Sequence, residues 1–272
     1  MKNRKSEPLY IFLHMPKCAG TTFRTHIEAN LTREETLALY VNIDKRFRDR
    51  DYLQEYIGSL PQSRKNSLKL IYGHEVHYGI HEWLGREGLY FTFLREPVAR
   101  TISWYNYRRQ QGWGDQRITQ DFIEKGNTPT LEEWLSASPW VWNEMTGYFA
   151  DYGYLESKEN YEPHELAEIL DKFFYVGLTE TFDTDALYLY WLLNIRKVFF
   201  KAQNISTKYF DPEERERVER LILETNNYDR KIYEIAAQRH SEFRDISYFR
   251  KLALMRALRL IAPVRRRLSF GF

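Results

Sequence analysis

The sequence has very little cysteine and no long apolar run. Cys18 is the only cysteine among 272 residues, so no disulfide can form within the chain. The basic N-terminal segment leads into an apolar run at Leu9–Leu13, which is too short for the core of a signal peptide or for a membrane span. No later segment is long and apolar enough either, so we expect no membrane span in this sequence.

A large charge of one sign is also missing. Lysine and arginine number 40 against 38 aspartates and glutamates, which leaves a net charge of +2. Proteins that bind nucleic acids in general show a stronger basic excess, so we expect no nucleic-acid partner. The length of 272 residues suits one large domain with a substantial core.

The first informative segment combines a strand, a loop of small residues and the start of a helix. The run at Leu9–Leu13 predicts a buried strand, and Phe23, Ile27 and Leu31 then recur at helical spacing. The first N–H groups of a helix have no partner in the chain and attract anions, so this turn is a candidate phosphate site. Its members are Lys17, Cys18, Ala19, Gly20, Thr21 and Thr22. The lysine precedes the glycine, whereas a Walker A loop places its lysine directly after its second glycine.

A second segment offers groups for another phosphate. The run Leu89–Leu94 predicts a strand, and Arg95 follows it directly. Pro97 suits the first turn of a helix, and Ser103 comes about two turns later. Together they can hold one phosphate, the arginine by a bidentate contact and the serine by its hydroxyl.

Strand and helix patterns alternate along most of the chain. Predicted strands are Leu9–Leu13, Leu68–Tyr72, Leu89–Leu94, Tyr175–Leu178 and Val198–Phe200. Predicted helices are Thr22–Leu31, Asp51–Ser59, Val98–Gln111, Leu131–Ser136, Glu165–Phe173, Thr184–Leu193, Pro212–Thr225 and Tyr228–Arg239. This order predicts an α/β protein, a single domain with a parallel β-sheet flanked by helices. Functional groups of such sheets lie beyond the carboxyl ends of the strands, where Lys17, His74 and Arg95 occur.

The two segments resemble the cofactor motifs of a known enzyme family. The string Pro16-Lys17-Cys18-Ala19-Gly20-Thr21-Thr22 resembles the 5′-phosphosulfate loop of sulfotransferases that use 3′-phosphoadenosine 5′-phosphosulfate (PAPS). Arg95-Glu96-Pro97 followed by Arg100-Thr101-Ile102-Ser103-Trp104-Tyr105 is similar to that family's 3′-phosphate motif. The pair looks most like the heparan sulfate 2-O-sulfotransferase-like branch of carbohydrate sulfotransferases. The resemblance implies a sulfotransferase fold with a P-loop-like phosphosulfate-binding loop, and it assigns the 3′-phosphate to Arg95 and Ser103.

A weaker resemblance extends over residues 9–243. Val176–Phe182 looks like the family's Val-Gly-Leu-x-Glu-x-Phe element, and Asp229–Tyr233 looks like its late Asp-x-x-x-Tyr helix. The family often contacts the nucleotide from a loop before those last helices. The corresponding loop of this sequence contains Ser206, Thr207 and Lys208, so the resemblance implies that these three residues contact the donor.

Histidines supply the candidate base. The family places its catalytic histidine in a Gly-His element, and Gly73-His74 ends a predicted strand here, which implies that His74 takes the proton of the acceptor hydroxyl. Lys17 would stabilise charge on the oxygen that bridges sulfur and phosphorus. His77 and His81 are candidate acceptor-side residues. The spacing of His74, His77 and His81 would bring them together for zinc only on a helix. Gly73 and Gly79 favour a loop instead, so we expect no metal.

Cys18 stands where the family has a small or hydroxyl residue. A thiol at a helix N-terminus can have a lowered pKa, so we expect Cys18 to be reactive and its alkylation to block the loop. The loop works through its backbone, so the cysteine does not contradict the resemblance.

The segment 245–272 differs from the domain at 1–244. Apolar residues recur there at helical spacing among arginines and a lysine, and Arg265, Arg266 and Arg267 follow. This pattern predicts a basic amphipathic helix and tail, either packed on the domain or in peripheral contact with a membrane. Golgi members of the family have an N-terminal anchor that this sequence lacks, so the simplest interpretation is a cytoplasmic, bacterial enzyme.

The acceptor and two alternative functions remain open. The resemblance favours a carbohydrate hydroxyl, on a glycan, a lipid-linked sugar or a metabolite. A nucleotide-dependent kinase with a divergent phosphate loop is one alternative, although no clear Mg²⁺-binding aspartate follows an apolar strand. A non-catalytic nucleotide- or glycan-binding protein on the same fold is the other.

Overall fold

The computed structural model describes residues 8–110, 129–198 and 212–241. The strands are β1 (Leu9–Leu13), β2 (Thr36–Leu39), β3 (Leu70–Gly73), β4 (Gly88–Leu94) and β5 (Tyr175–Leu178). They form one five-stranded sheet in the order β2-β3-β1-β4-β5, and every pairing in it is parallel. The predicted α/β class with a parallel sheet is confirmed.

Helices connect and flank the strands, because parallel neighbours need long crossovers and the faces of their sheet need apolar cover. They are α1 (Gly20–Asn30), α2 (Arg50–Ser59), α3 (Gln62–Ser67), α4 (Pro97–Gln110), α5 (Leu131–Ser136), α6 (Glu144–Asp151), α7 (Pro163–Asp171), α8 (Phe182–Leu192), α9 (Pro212–Thr225) and α10 at residues 227–241. Most of these helices were predicted, with boundaries that shift by no more than two residues.

β1 is the middle strand and the centre of the core. Four of its five residues are fully buried. Phe12 stacks on Phe91 of β4 with ring centroids 5.0 Å apart, and it lies edge-on to Phe23 of α1 at 5.1 Å. A strand buried on both faces forms a continuous apolar run, which explains why the sequence signal at β1 is so clear.

The register aligns the carboxyl ends of the central strands. Leu13 of β1 lies opposite Gly73 of β3 on one side and opposite Thr92 of β4 on the other. The Thr92 hydroxyl donates to the Leu13 carbonyl over 2.9 Å, which joins β1 and β4 near this edge. The loops after β1, β3 and β4 therefore begin at one edge of the sheet. These loops carry Lys17, His74 and Arg95.

Some elements depart from the sequence prediction. β2, α3 and α6 were not predicted; β2 has only four residues, and α3 buries no side chain, so neither shows a full apolar period. The predicted strand Val198–Phe200 is not formed at Val198, and its other two residues lie outside the described ranges.

Two further predicted features also fall outside the described ranges. They are the basic segment at 245–272 and the candidate donor contacts Ser206, Thr207 and Lys208. Within the described part of the chain, no helix is both long and apolar enough to cross a membrane.

Candidate functional site

The loop between β1 and α1 has a constrained backbone. Lys17 and Ala19 have φ angles of 64° and 60°, in the left-handed region that residues with a side chain rarely adopt. Each such residue costs roughly 1–2 kcal/mol, and such conformations concentrate at functional sites. Ala19 is followed directly by Gly20, the first helical residue. A left-handed residue beside a right-handed one turns successive N–H groups into a concave anion-binding nest.

Helix α1 begins without a side-chain cap. Ala19 stands at the cap position with no polar side-chain atom, and the first turn holds no acidic residue. The N–H groups of Gly20 and Thr21 therefore have no acceptor within the helix. A Cβ atom on Gly20 would lie 1.9 Å from Cδ2 of His14, so glycine is needed for the helix to start this close to the end of β1. The positive helix end is left open to an anion.

The Lys17 side chain packs against aromatic rings of α4. Its Nζ atom lies 4.2 Å from the ring centroid of Tyr107 and 5.8 Å from that of Trp104. Burial, together with the nearby charges of Arg95 and Arg100, lowers the pKa of Lys17 from 10.5 to about 8. The ammonium is therefore protonated at pH 7, and a bound anion would stabilise it further.

Arg95 connects the second predicted motif to this loop. Its Nη1 atom donates to the Lys17 carbonyl over 3.2 Å, so the guanidinium lies against the loop. A guanidinium has five N–H donors, so this contact leaves others for a ligand. The Glu96 carboxylate accepts from two backbone N–H groups in the first turn of α4, at 2.9 and 2.7 Å, and so caps that helix. Ser103 lies further along α4 and is buried.

His74 follows β3 and packs against His14, which follows β1. The two rings are 4.3 Å apart, and Nδ1 of His74 donates to the His14 carbonyl over 2.5 Å. A Cβ atom on Gly73 would lie 1.8 Å from the Leu39 carbonyl oxygen, so glycine is needed for β3 to pass this close to β2. The Gly-His pair thus places the imidazole beside the residue that leads into the Lys17 loop.

This hydrogen bond assigns the tautomer of His74. A carbonyl oxygen can only accept, so Nδ1 carries the proton and Nε2 keeps its lone pair. Burial lowers the pKa of His74 to about 4, so the imidazole is neutral at pH 7. A neutral imidazole with a lone pair on Nε2 can take a proton from a hydroxyl.

The structure separates His81 from this site. Its Nδ1 atom lies 3.0 Å from the Tyr90 hydroxyl, and its ring lies against Gly88, where β4 begins. β4 has seven residues that rise about 3.3 Å each, so His81 lies about 20 Å from the carboxyl edge. The structure therefore places His81 apart from the Lys17 loop, and its suggested acceptor-side role stays a prediction.

His77 is buried against Tyr152 of the segment after α6. The ring centroids are 5.0 Å apart, and burial lowers the pKa of His77. Its suggested acceptor role stays a prediction. His74, His77 and His81 thus have different neighbours. Among the residues that the structure describes, no group of three or more His, Cys, Asp or Glu is placed to hold a metal ion.

Cys18 is buried, which disfavours its thiolate form. Its side chain is 1% exposed, and Sγ donates to the Pro16 carbonyl over 3.5 Å. Burial raises the pKa of the thiol to about 12, although Arg100 and Arg95 act in the opposite direction. The expectation of a lowered pKa is wrong, because removal from water outweighs the helix end and the two cations.

We expect Cys18 to react slowly with Ellman's reagent in the folded protein and rapidly in denaturant. Only the thiolate is nucleophilic, and burial disfavours that form. Cys18→Ser should keep donor binding, because a serine hydroxyl can donate to the same Pro16 carbonyl. Rapid labelling of the native protein at pH 7, or a folded serine variant without donor binding, would contradict this account.

Two residues outside the predicted site set support the loop. Arg100 is 1% exposed; its Nε atom donates to the Pro16 carbonyl over 3.2 Å, and its Nη2 atom pairs with the Glu144 carboxylate. The same Glu144 oxygen accepts from Nε1 of Trp104 over 2.6 Å. Arg100 belongs to the Arg-x-x-Ser string of the second motif, so the sequence contained a pattern that could have indicated it. Glu144 comes from α6, 44 residues further along, and no local pattern pointed to it.

Comparison with known proteins identifies the family. No curated protein matches the sequence. The structure is similar to the crystal structure of a sulfotransferase from Alicyclobacillus acidocaldarius, with 12% sequence identity and a TM-score of 0.45 over 85% of this chain and 96% of that chain. Residues 6–236 match the sulfotransferase family, which is most of the sequence. The chain therefore belongs to the sulfotransferase family.

Proposed function

We propose that this protein transfers a sulfuryl group from PAPS to the hydroxyl of a carbohydrate acceptor. Membership of the family supports sulfuryl transfer. One observation carries the choice of donor: an uncapped helix N-terminus, the Lys17 ammonium and the Arg95 guanidinium meet at one edge of the sheet. The likeness of both cofactor strings to the heparan sulfate 2-O-sulfotransferase-like branch supports a carbohydrate acceptor.

The residues of the site fit a ligand with two separate phosphates. The open N–H groups of α1, the Lys17 ammonium and the hydroxyls of Thr21 and Thr22 suit a phosphosulfate. Arg95 at the end of β4 and Ser103 on α4 suit a second phosphate. These groups would hold PAPS by its 5′ and 3′ ends.

The same residues can divide the chemistry between them. Bound PAPS would supply the sulfonate and a phosphate leaving group. His74 would take the acceptor's hydroxyl proton on Nε2 while the acceptor oxygen bonds to sulfur. Lys17 would stabilise the negative charge that grows on the bridging oxygen as its bond to sulfur breaks. The helix N-terminus would keep the 5′-phosphate in position throughout.

Exposed aromatic rings beside Lys17 further support a carbohydrate acceptor. Tyr107 and Trp140 are each 39% exposed, and Trp104 contacts both, with centroid distances of 5.5 and 6.1 Å. Such rings offer flat apolar faces on which the C–H groups of a sugar can pack. Incubation with labelled PAPS and fractionated polysaccharides, lipids and metabolites would identify the acceptor.

The limits of the transferase domain and its location are also proposals. We assign the domain to residues 1–244 and give the basic segment 245–272 a peripheral role, against the domain or an anionic membrane surface. A cytoplasmic location agrees with this assignment.

We expect adenosine 3′,5′-bisphosphate to raise the melting temperature markedly more than adenosine 5′-monophosphate does. A ligand that binds only the native state stabilises it by about 2.7 kcal/mol when its concentration is 100 times its Kd. The monophosphate lacks the group assigned to Arg95 and Ser103, so its shift should be small. Differential scanning fluorimetry at matched nucleotide concentrations measures this difference.

The same assay, together with turnover of labelled PAPS, distinguishes the alternative functions. Equal shifts with both nucleotides would remove the 3′-phosphate assignment. A larger shift with ATP and Mg²⁺ than with the bisphosphate would favour a kinase instead. Binding of the bisphosphate without turnover of labelled PAPS on any acceptor fraction would favour a non-catalytic binding protein.

A further inference from the structure

A buried ion pair lies directly beneath the Lys17 loop. Arg100 of α4 is 1% exposed and Glu144, the first residue of α6, has a side chain that is 11% exposed. Neither carries out a step in the proposed transfer. Charges are seldom buried without a role, because their removal from water is costly even when they are paired.

We infer that Arg100 and Glu144 are positioning residues for the phosphosulfate loop, with Arg100 holding the Pro16 carbonyl and Glu144 holding Arg100. This inference rests on the proposed function, since it assumes that the loop is the donor's phosphate site. It adds a role for two residues of which one, Glu144, belongs to neither cofactor motif.

The contact with the Pro16 carbonyl sets the direction of a loop N–H group. Nε of Arg100 donates to that carbonyl over 3.2 Å. In a trans peptide the N–H of the next residue points opposite to the carbonyl, so this bond turns the Lys17 N–H away from Arg100. The Lys17 carbonyl is held in turn by Arg95 over 3.2 Å. The carbonyl groups of Pro16 and Lys17 thus both point toward guanidiniums, so the partial negative charges of these oxygens do not face an anion bound in the loop.

Glu144 fixes Arg100 from the other side. Its Oε2 atom accepts from Nη2 of Arg100 and, over 2.6 Å, from Nε1 of Trp104. Trp104 is one of the two rings beside the Lys17 ammonium. One carboxylate oxygen therefore connects the guanidinium below the loop with an aromatic ring beside its lysine.

The start of α6 is itself anchored in the core. The buried Asp229 carboxylate accepts from the backbone N–H groups of Met145 and Thr146 over 3.0 and 2.8 Å, and from the Thr146 hydroxyl over 2.8 Å. Asp229 belongs to α10, so the loop is supported through a chain of contacts that begins near the C-terminal end of the described residues. Such a chain holds the loop in one conformation before the donor arrives, which is the condition for pre-organised binding.

Two variants separate the geometry of Arg100 from its charge. Arg100→Lys keeps the positive charge but cannot reach both the Pro16 carbonyl and Glu144 with a planar fork of donors. The double variant Arg100→Met with Glu144→Met removes both charges together, and apolar replacement of a buried pair is often tolerated by the fold. Arg239→Met with Asp171→Met is the control, because that pair is exposed and lies near Tyr175 at the amino end of β5, away from the Lys17 loop.

The measurements do not require a known acceptor. Adenosine 3′,5′-bisphosphate is titrated calorimetrically, and melting temperatures verify folding. The lysines are also reductively methylated with ¹³C, and the pH titration of the Lys17 signal, assigned with Lys17→Arg, reports its pKa. The groups that act on the pKa of Lys17 are two cations, Arg95 at the end of β4 and Arg100 on α4, and the neutral thiol of Cys18 in the loop.

We expect both Arg100 variants to bind the bisphosphate more weakly by roughly tenfold or more, as for loss of one hydrogen bond to a charged group. The pKa of Lys17 should stay near 8 in Arg100→Lys and rise in the double variant, because only the latter loses a neighbouring cation. The control pair should change neither quantity. If the double variant does not fold, the affinity of Arg100→Lys decides.

Wild-type bisphosphate affinity in a folded Arg100 variant would overturn the inference while leaving the proposed function intact. A wild-type protein that does not prefer the bisphosphate to the monophosphate would overturn the proposed function, and this inference with it.

Discussion

His74→Ala should lower turnover by roughly 10²–10⁴-fold, the usual effect of removing a general base. Affinity for adenosine 3′,5′-bisphosphate should barely change, because His74 contacts the His14 carbonyl rather than the residues assigned to the phosphates. Turnover is measured with labelled PAPS and the acceptor found by fractionation, and affinity by calorimetry. The two results together separate proton transfer from donor binding.

The pH profile tests the same role independently. The active form of His74 is the neutral one, and burial lowers its pKa to about 4. The kcat/KM value of the wild-type protein should therefore be constant near neutral pH and fall only as the pH drops toward 4. Any residual rate of His74→Ala should lack this acid limb. A histidine in water would instead place the limb near pH 6.5.

His77→Ala is the matched control for this prediction. His77 is also buried and also has a lowered pKa, but its ring packs on Tyr152. We expect lower stability and a small change in turnover. An inactive His77→Ala beside a nearly normal His74→Ala would refute His74 as the base, although the sulfotransferase assignment would stand.

Lys17→Ala should lower kcat by about 10²–10³-fold, as expected for loss of one group that stabilises charge in the transition state. Bisphosphate binding should remain measurable, because the N-terminus of α1 and Arg95 are still present. Arg95→Ala should show the opposite pattern, with weaker bisphosphate affinity and a smaller loss of kcat at saturating donor. Calorimetry and turnover on the same two variants check both halves.

Lys17 also sets the alkaline side of the activity profile. Its charged form is the useful one, and its pKa is lowered to about 8 by burial and by Arg95 and Arg100. The kcat/KM value should fall as the pH rises through 8. Lys17→Arg should keep part of the activity and lose this limb, because a guanidinium stays protonated there. A Lys17→Ala variant with near-normal turnover would exclude the proposed role of the loop.

Local sequence signals were sufficient for the elements that build the site. The apolar run of β1, the break at Pro16 and the small residues up to Thr22 are contiguous, so they predict a strand, a turn and a helix start without knowledge of the rest of the chain. The Glu96 cap and Pro97 at the start of α4 are similarly local. Alternation of such elements was enough to predict the parallel sheet.

Tertiary structure decided the properties of the individual side chains. Cys18 stands at a helix N-terminus, which favours a thiolate, yet its burial raises the pKa of the thiol to about 12. His74 and His81 are close in sequence, but they lie at opposite ends of the sheet. His74 contacts the His14 carbonyl after β1, whereas His81 lies against Gly88, where β4 begins. The tautomer of His74 depends on a carbonyl 60 residues earlier in the chain.

The sequence alone therefore determined most of the backbone elements and the edge of the sheet at which Lys17, His74 and Arg95 lie, because periodicity, caps and turns depend on neighbours a few residues apart; β2, α3 and α6 were not predicted. Only the tertiary structure decided which of those groups are neutral, charged or out of reach, and that Glu144 supports Arg100 across 44 residues. Burial and hydrogen bonding between distant segments govern pKa values and side-chain positions, and no local pattern encodes them.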